Sequence, residues 1–120
     1  MNAILFGALF GFLGVAAGAF GAHGLKTRIS SEMLAIFQTG VFYQLIHALL
    51  LLAYGILRIL RPQIPSWIAW VLVLGIILFS GSLYALALGG ARQFGMITPL
   101  GGLAFLVAWI AIFWVSLRRL

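Results

Sequence analysis

Four stretches of this chain, residues 3–22, 33–57, 67–88 and 98–117, contain no Lys, Arg, Asp or Glu. All eight formal charges fall between or beyond them: Lys26, Arg28 and Glu32 in the first break, Arg58 and Arg61 in the second, Arg92 in the third, Arg118 and Arg119 at the end. Each run is about 20 residues or longer, enough to cross a hydrocarbon core of ~30 Å as a helix. Backbone polar groups in lipid must be satisfied within the segment, so a run of this kind folds as a helix. The pattern predicts an all-α integral membrane protein, an antiparallel four-helix bundle in one domain, residues 1–120, with helices over about 3–22, 32–60, 66–89 and 98–118.

Composition closes off several alternatives. The apolar fraction is 65%, against roughly 45–50% for soluble domains. The net charge of +6 would suggest a nucleic-acid binder in a soluble protein, but these cations are scattered over segment ends and form no basic face. They are placed to snorkel to lipid phosphates, so the lipid bilayer is the expected partner and nucleic acid is not. Without cysteine there is no disulfide, thiolate or iron–sulfur chemistry. Buried carboxylates, the usual material of proton relays in membranes, are missing from all four runs.

Local signals sharpen the boundaries. Ser30 and Ser31 are suited to cap the second helix, and Glu32 matches the positive end of its dipole. Pro62 and Pro65 mark a tight connection, and Thr98-Pro99 reads as a cap followed by proline in the first helical turn. Four crossings put both termini on one side, with Arg58, Arg61, Arg118 and Arg119 against Lys26, Arg28 and Arg92 opposite, which predicts cytoplasmic termini. Trp67, Trp70 and Trp114 lie near that same interface. The first run also resembles a signal peptide, with small residues at Ala17-Gly18-Ala19 and Phe20-Gly21-Ala22. No basic residue precedes it and its apolar stretch is long, which favours a retained helix.

Gly7, Gly11, Gly14, Gly18 and Gly21 are spaced four, three, four and three, a single small-residue seam along the first helix. Such seams let helix backbones approach closely in lipid. The seam first suggests packing within the chain, against the second or fourth helix, and as the alternative a homo-oligomer or another membrane-protein partner. On the second helix Thr39, Tyr43, His47, Tyr54 and Arg58 share a sector of about 100°, flanked by Gly40 and Gln44. Polar groups at that depth turn inward. The predicted polar core or ligand pocket is therefore Thr39, Tyr43, Gln44 and His47 with Ser80, Ser82 and Tyr84 of the third helix. His47 reads either as a neutral imidazole held by Tyr43, Gln44 or a third-helix hydroxyl, or as a ligand or proton site.

Catalysis finds little support. Serine and histidine lack the orienting acid of a triad, so no catalytic residue is expected. His23, in Gly21-Ala22-His23-Gly24, belongs at the mouth of the first helix with Gly24 serving the chain reversal. At 1.5 Å per residue, Glu32 at the start of the second helix stands some 22 Å from His47, which puts the two histidines far apart, so no metal site and no cofactor is expected.

Four segments together carry a family resemblance. Residues 18–25 (GAFGAHGL), 37–44 (FQTGVFYQ) with His47-Ala48-Leu49, 78–84 (LFSGSLY) and 97–102 (ITPLGG) resemble the signatures of the small four-helix membrane proteins called domain of unknown function 423. That family is similar to transmembrane protein 256 of eukaryotes. The resemblance implies a multi-pass protein of the bacterial plasma (inner) membrane and supplies no catalytic residues. The leading expectation is a non-enzymatic protein acting through helix packing with itself, lipid or a membrane partner. The alternative is a small transporter or ligand-binding protein with an intramembrane polar pocket at His47.

Overall fold

A computed structural model describes residues 1–120. Four helices carry the chain back and forth: α1 (Ala3–Phe20), α2 (Ser31–Leu60), α3 (Trp67–Ala87) and α4 (Thr98–Arg119). All four are long and apolar enough to cross a membrane, and the molecule measures 48 × 26 × 20 Å, so its long axis spans a bilayer with its headgroup regions. α1 packs on α2, α2 on α3 and α3 on α4. In α2 and α3, 44% of the most apolar stretch is buried, against 17% in α1 and α4. The central pair is therefore α2–α3, flanked by α1 and α4.

Side chains set the helix ends. Asn2 accepts from the Leu5 N–H at 3.1 Å and starts α1, and the Ser30 hydroxyl accepts from the Met33 N–H at 3.1 Å and starts α2, each relieving an N–H that has no partner inside its helix. α1 continues into a π-helical turn, Gly21–Leu25, so Gly24 stays right-handed and does not reverse the chain. The single left-handed residue is Gly89, φ 94°. There the Gly90 N–H reaches Ala85 O at 2.8 Å and the Gly89 N–H reaches Leu86 O at 3.3 Å, the paired bonds of a Schellman ending. A 3-10 turn, Arg92–Met96, then leads into α4. Thr98 is the first residue of α4 rather than its cap, and its hydroxyl is engaged elsewhere.

The glycine seam is mostly covered by α2. A Cβ at Gly7 would come within 2.8 Å of the Leu52 backbone N, one at Gly14 within 2.7 Å of Leu45 Cδ2, one at Gly21 within 3.0 Å of the Phe37 ring, and one at Gly18 within 3.3 Å of Val41 Cγ1. Gly11 departs from the seam, since a Cβ there would meet nothing within 4 Å. Gly7, Gly14 and Gly21 repeat every seven residues and keep one face toward α2, while Gly11 sits at the side of that stripe. It lines a shallow apolar groove with Ala8, Phe12, Val15 and Leu49.

Two apolar clusters fill the interior. Leu51, Tyr54, Ile64, Ile68, Leu72 and Ala108 form the one nearer the termini; Leu25, Phe37, Val41 and Ala87 form the other. Between them, at the level of Gly40 to His47 on α2, the core is polar and aromatic.

Candidate functional site: a polar layer and an aromatic groove

That middle layer holds the four buried polar side chains Gln44, His47, Ser80 and Ser82. Gln44 clamps three helices: its Nε2 donates to the backbone carbonyl of Phe10 on α1 at 2.8 Å, and its Oε1 accepts from the Tyr84 hydroxyl on α3 at 2.6 Å. Glycines permit both contacts, because Gly14 lets α1 come down on Gln44 and Leu45, and Gly40 gives the Tyr84 ring its place. Ser80 donates to the Gly40 carbonyl at 2.7 Å and ties α3 to α2. Ser82 donates to Phe79 O at 2.9 Å, which leaves its oxygen to accept from the Thr98 hydroxyl at 2.6 Å and ties α3 to α4.

His47 is held from both sides. Its Nδ1 lies 2.7 Å from the Tyr43 carbonyl one turn back, and its Nε2 accepts from the indole N–H of Trp109 on α4 at 3.1 Å. An indole nitrogen can only donate, so Nε2 carries no proton and Nδ1 does. The neutral imidazole is thus fixed in one tautomer with both nitrogens engaged, and it stacks on Phe105 at 3.5 Å between ring centroids, 8° from parallel.

The seven residues singled out from sequence do not all meet. Gln44 and Tyr84 join in one hydrogen-bonded unit; Ser80 bonds Gly40 beside it, and Ser82 bonds toward α4. Thr39 lies outside the layer: it is exposed and its hydroxyl bonds back to Ala35 O at 3.0 Å within its own helix. That self-satisfaction is open to threonine in any lipid-facing turn, so the inward turn predicted for Thr39 was unnecessary. Tyr43 contributes only its carbonyl and its ring, and its side chain is 38% exposed. Neither Tyr43, Gln44 nor a third-helix hydroxyl supplies a side-chain partner for His47; Trp109 does. Trp109, Phe105 and Phe79 were not singled out from sequence. One signal for Trp109 existed, since it is the tryptophan placed mid-run rather than at an interface, and an indole N–H at that depth requires an acceptor.

Beside His47 the bundle surface opens into a groove of about 590 Å³ between α2 and α4, with Phe79 of α3 at its back. Tyr43, Phe79 and Phe105 pack ring against ring, with centroids 4.5 Å apart for Tyr43–Phe79 and 5.5 Å for Phe79–Phe105. Leu103, Leu106 and Trp109 form the rim, and all three face outward, 58%, 66% and 46% exposed. A Cβ at Gly102 would stand 3.9 Å from the Phe79 ring, so the absent side chain there leaves open space. From Pro99 to Trp109 the groove runs about 15 Å along α4, the depth of one leaflet of a ~30 Å hydrocarbon core. This arrangement can hold a lipophilic molecule entering sideways from the bilayer.

Fold and site together define a polytopic membrane bundle whose polar groups are spent on joining helices. A family model described as "Protein of unknown function (DUF423)" matches residues 17–102, and the chain belongs to that family. It is 45% identical over 107 residues to a UPF0382 membrane protein of Staphylococcus saprophyticus, covering 89% of each chain. It is 42% identical to the UPF0382 membrane protein YwdK of Bacillus subtilis over 98% of this chain and 97% of that one. It is also 42% identical to the UPF0382 inner membrane protein YgdD of Escherichia coli K12 over 88% and 82%. No solved structure matches the chain. The protein is a multi-pass bacterial membrane protein.

Proposed function

We propose that this protein is non-enzymatic and acts through packing at its lipid-facing surface, with the aromatic groove beside His47 as the working part, receiving a lipophilic molecule from the bilayer. The observation that carries this reading is the full engagement of the interior. No buried side-chain nitrogen or oxygen lacks a hydrogen-bond partner, and Gln44, His47, Ser80 and Ser82 each bond across to another helix. Groups so committed hold helices together, since breaking any of these bonds in lipid leaves a polar atom unpaired. The groove, in contrast, combines open volume, aromatic walls and outward access.

The transport alternative needs a water-reachable path to a mid-membrane site. The lining at His47 is predominantly aromatic and aliphatic, which favours binding of an apolar guest over passage of a polar one. The test is extraction of the protein in mild detergent followed by native mass spectrometry, comparing the wild type with Gly102→Leu. The expected result is a lipophilic adduct on the wild type that the filled groove loses. Equal adducts on both proteins would contradict the reading.

A further inference from the structure

The Tyr43 hydroxyl narrows the guest. Tyr43 lies just before the middle of α2 (Ser31–Leu60), within about 4 Å of its midpoint. Its ring packs on Phe79, two residues past the middle of α3 (Trp67–Ala87), and faces Phe105, within about 5 Å of the middle of α4. Three helices therefore agree on a depth near the centre of the bilayer. The interfacial carbonyls of phospholipids lie about 15 Å away at that depth, half of a ~30 Å core. The bundle's hydrogen bonds engage the Tyr43 carbonyl and the hydroxyls of Tyr54 and Tyr84, but not the hydroxyl of Tyr43. A phenolic O–H facing hydrocarbon without an acceptor is costly.

The other polar atoms at the groove are already used, His47 on both nitrogens and Trp109 on its one. The groove thus offers one free hydroxyl, set among flat rings, whose proton finds no acceptor on any other side chain there. His47 and Phe105 lie nearly parallel and Tyr43 is 17° from Phe105, while Gly102, one turn before Phe105 on α4, leaves the space beside the Phe79 ring clear. A saturated acyl chain fills such a slot but brings no acceptor to its depth. From these constraints we infer that the groove binds a planar, lipid-soluble carbonyl compound, of the quinone or flat ketone class, whose ring packs over Gly102 against the Phe79 and Phe105 rings and whose oxygen accepts from Tyr43. This inference rests on the groove being the working part of the molecule.

The test uses the full chain in phosphatidylcholine nanodiscs, with menadione as the planar dicarbonyl probe and methylnaphthalene as its carbonyl-free counterpart. Binding is measured in excess of empty discs, and the carbonyl stretch of bound menadione is followed by infrared spectroscopy. The wild type should favour menadione over methylnaphthalene by about tenfold, the range of one hydrogen bond in an apolar site, with the carbonyl band shifted to lower frequency. Tyr43→Phe should bind the two equally and lose the shift, and Gly102→Leu should bind neither. Equal binding of both probes by the wild type, or a preference and shift that survive Tyr43→Phe, would overturn the carbonyl inference while leaving the groove reading standing. No binding of either probe above empty discs, or binding undiminished in Gly102→Leu, would overturn both. Circular dichroism of Tyr43→Phe checks that its helices are intact, which the uncommitted hydroxyl leads one to expect.

Discussion

Breaking the Gln44 clamp should show how much of the bundle's stability its polar layer provides. Tyr84→Phe removes the 2.6 Å bond to Gln44 Oε1 and leaves that oxygen without a donor in a water-free interior. A buried group stranded in this way costs about 1–3 kcal/mol. Interhelix hydrogen bonds in membranes are worth less, about 0.6 kcal/mol on average and up to ~1.7, because the separated helices find other partners. The Tyr84–Gln44 bond is short, and Gln44 is held a second time by the Phe10 carbonyl at 2.8 Å, so the upper part of that range applies. The expected loss is about 1.5 kcal/mol for Tyr84→Phe. Gln44→Leu gives up both bonds but strands a hydroxyl only on Tyr84, because the Phe10 carbonyl is also in reach of its own helix, and should cost about the same. In the double variant neither stranded group remains, so the losses should fail to add by about 1 kcal/mol. Reversible unfolding in mixed micelles of increasing sodium dodecyl sulfate, followed by tryptophan fluorescence, reads all four proteins. Strict additivity would refute the clamp.

The helix seam separates two glycines that look alike in sequence. Gly7→Ala drives a methyl to 2.8 Å from the Leu52 backbone and should cost about 1–3 kcal/mol as overpacking. Gly11→Ala meets nothing and should be neutral or stabilising by up to ~1 kcal/mol through helix propensity, and the same unfolding assay compares them. Trp109→Phe deprives His47 Nε2 of its donor and should destabilise by about 1–2 kcal/mol. In that variant the Tyr43 carbonyl still holds the proton on Nδ1, so the tautomer should persist while the Nε2 nitrogen-15 shift moves as its hydrogen bond is lost. Ser82→Ala leaves the Thr98 hydroxyl without Ser82 at the start of α4 and should cost about 0.6–1.7 kcal/mol, with faster hydrogen exchange in the first turn of α4 than elsewhere in that helix.

The sequence made the four crossings legible because the bilayer tolerates few alternatives. Charges at residues 26–32, 58–61, 92 and 118–119 have to lie outside the hydrocarbon, and each run between them has one way to satisfy its backbone. Which helix faces lie inside was harder to read. α1 and α3 are apolar all round, so hydrophobic periodicity gives no inner face, and the information rests on glycines and polar side chains. Gly7, Gly14, Gly18 and Gly21 marked a seam, but only three-dimensional packing assigns it to α2. Gly75, against Phe105, and Gly101, against the Phe79 backbone, are equally close contacts whose spacing forms no stripe and so gave no signal. Thr39 misled because a threonine hydroxyl satisfied by the carbonyl four residues back needs no inward partner. His47 stood out as an ionisable residue in lipid, while its partner Trp109 was hidden by being counted among the apolar residues of α4.

The central claim is that the space beside His47 and Trp109 belongs to the lipid and not to water. A variant with Trp67, Trp70 and Trp114 changed to Phe keeps Trp109 as its single tryptophan. In bilayers its fluorescence reports the groove directly. Phosphatidylcholine brominated near the end of its acyl chains should quench that emission strongly, with Gly102→Leu reducing the effect, while acrylamide added to the aqueous phase should leave it nearly unchanged. Strong quenching by acrylamide with little by the brominated lipid would mean a water-filled cavity at mid-membrane and would contradict the account.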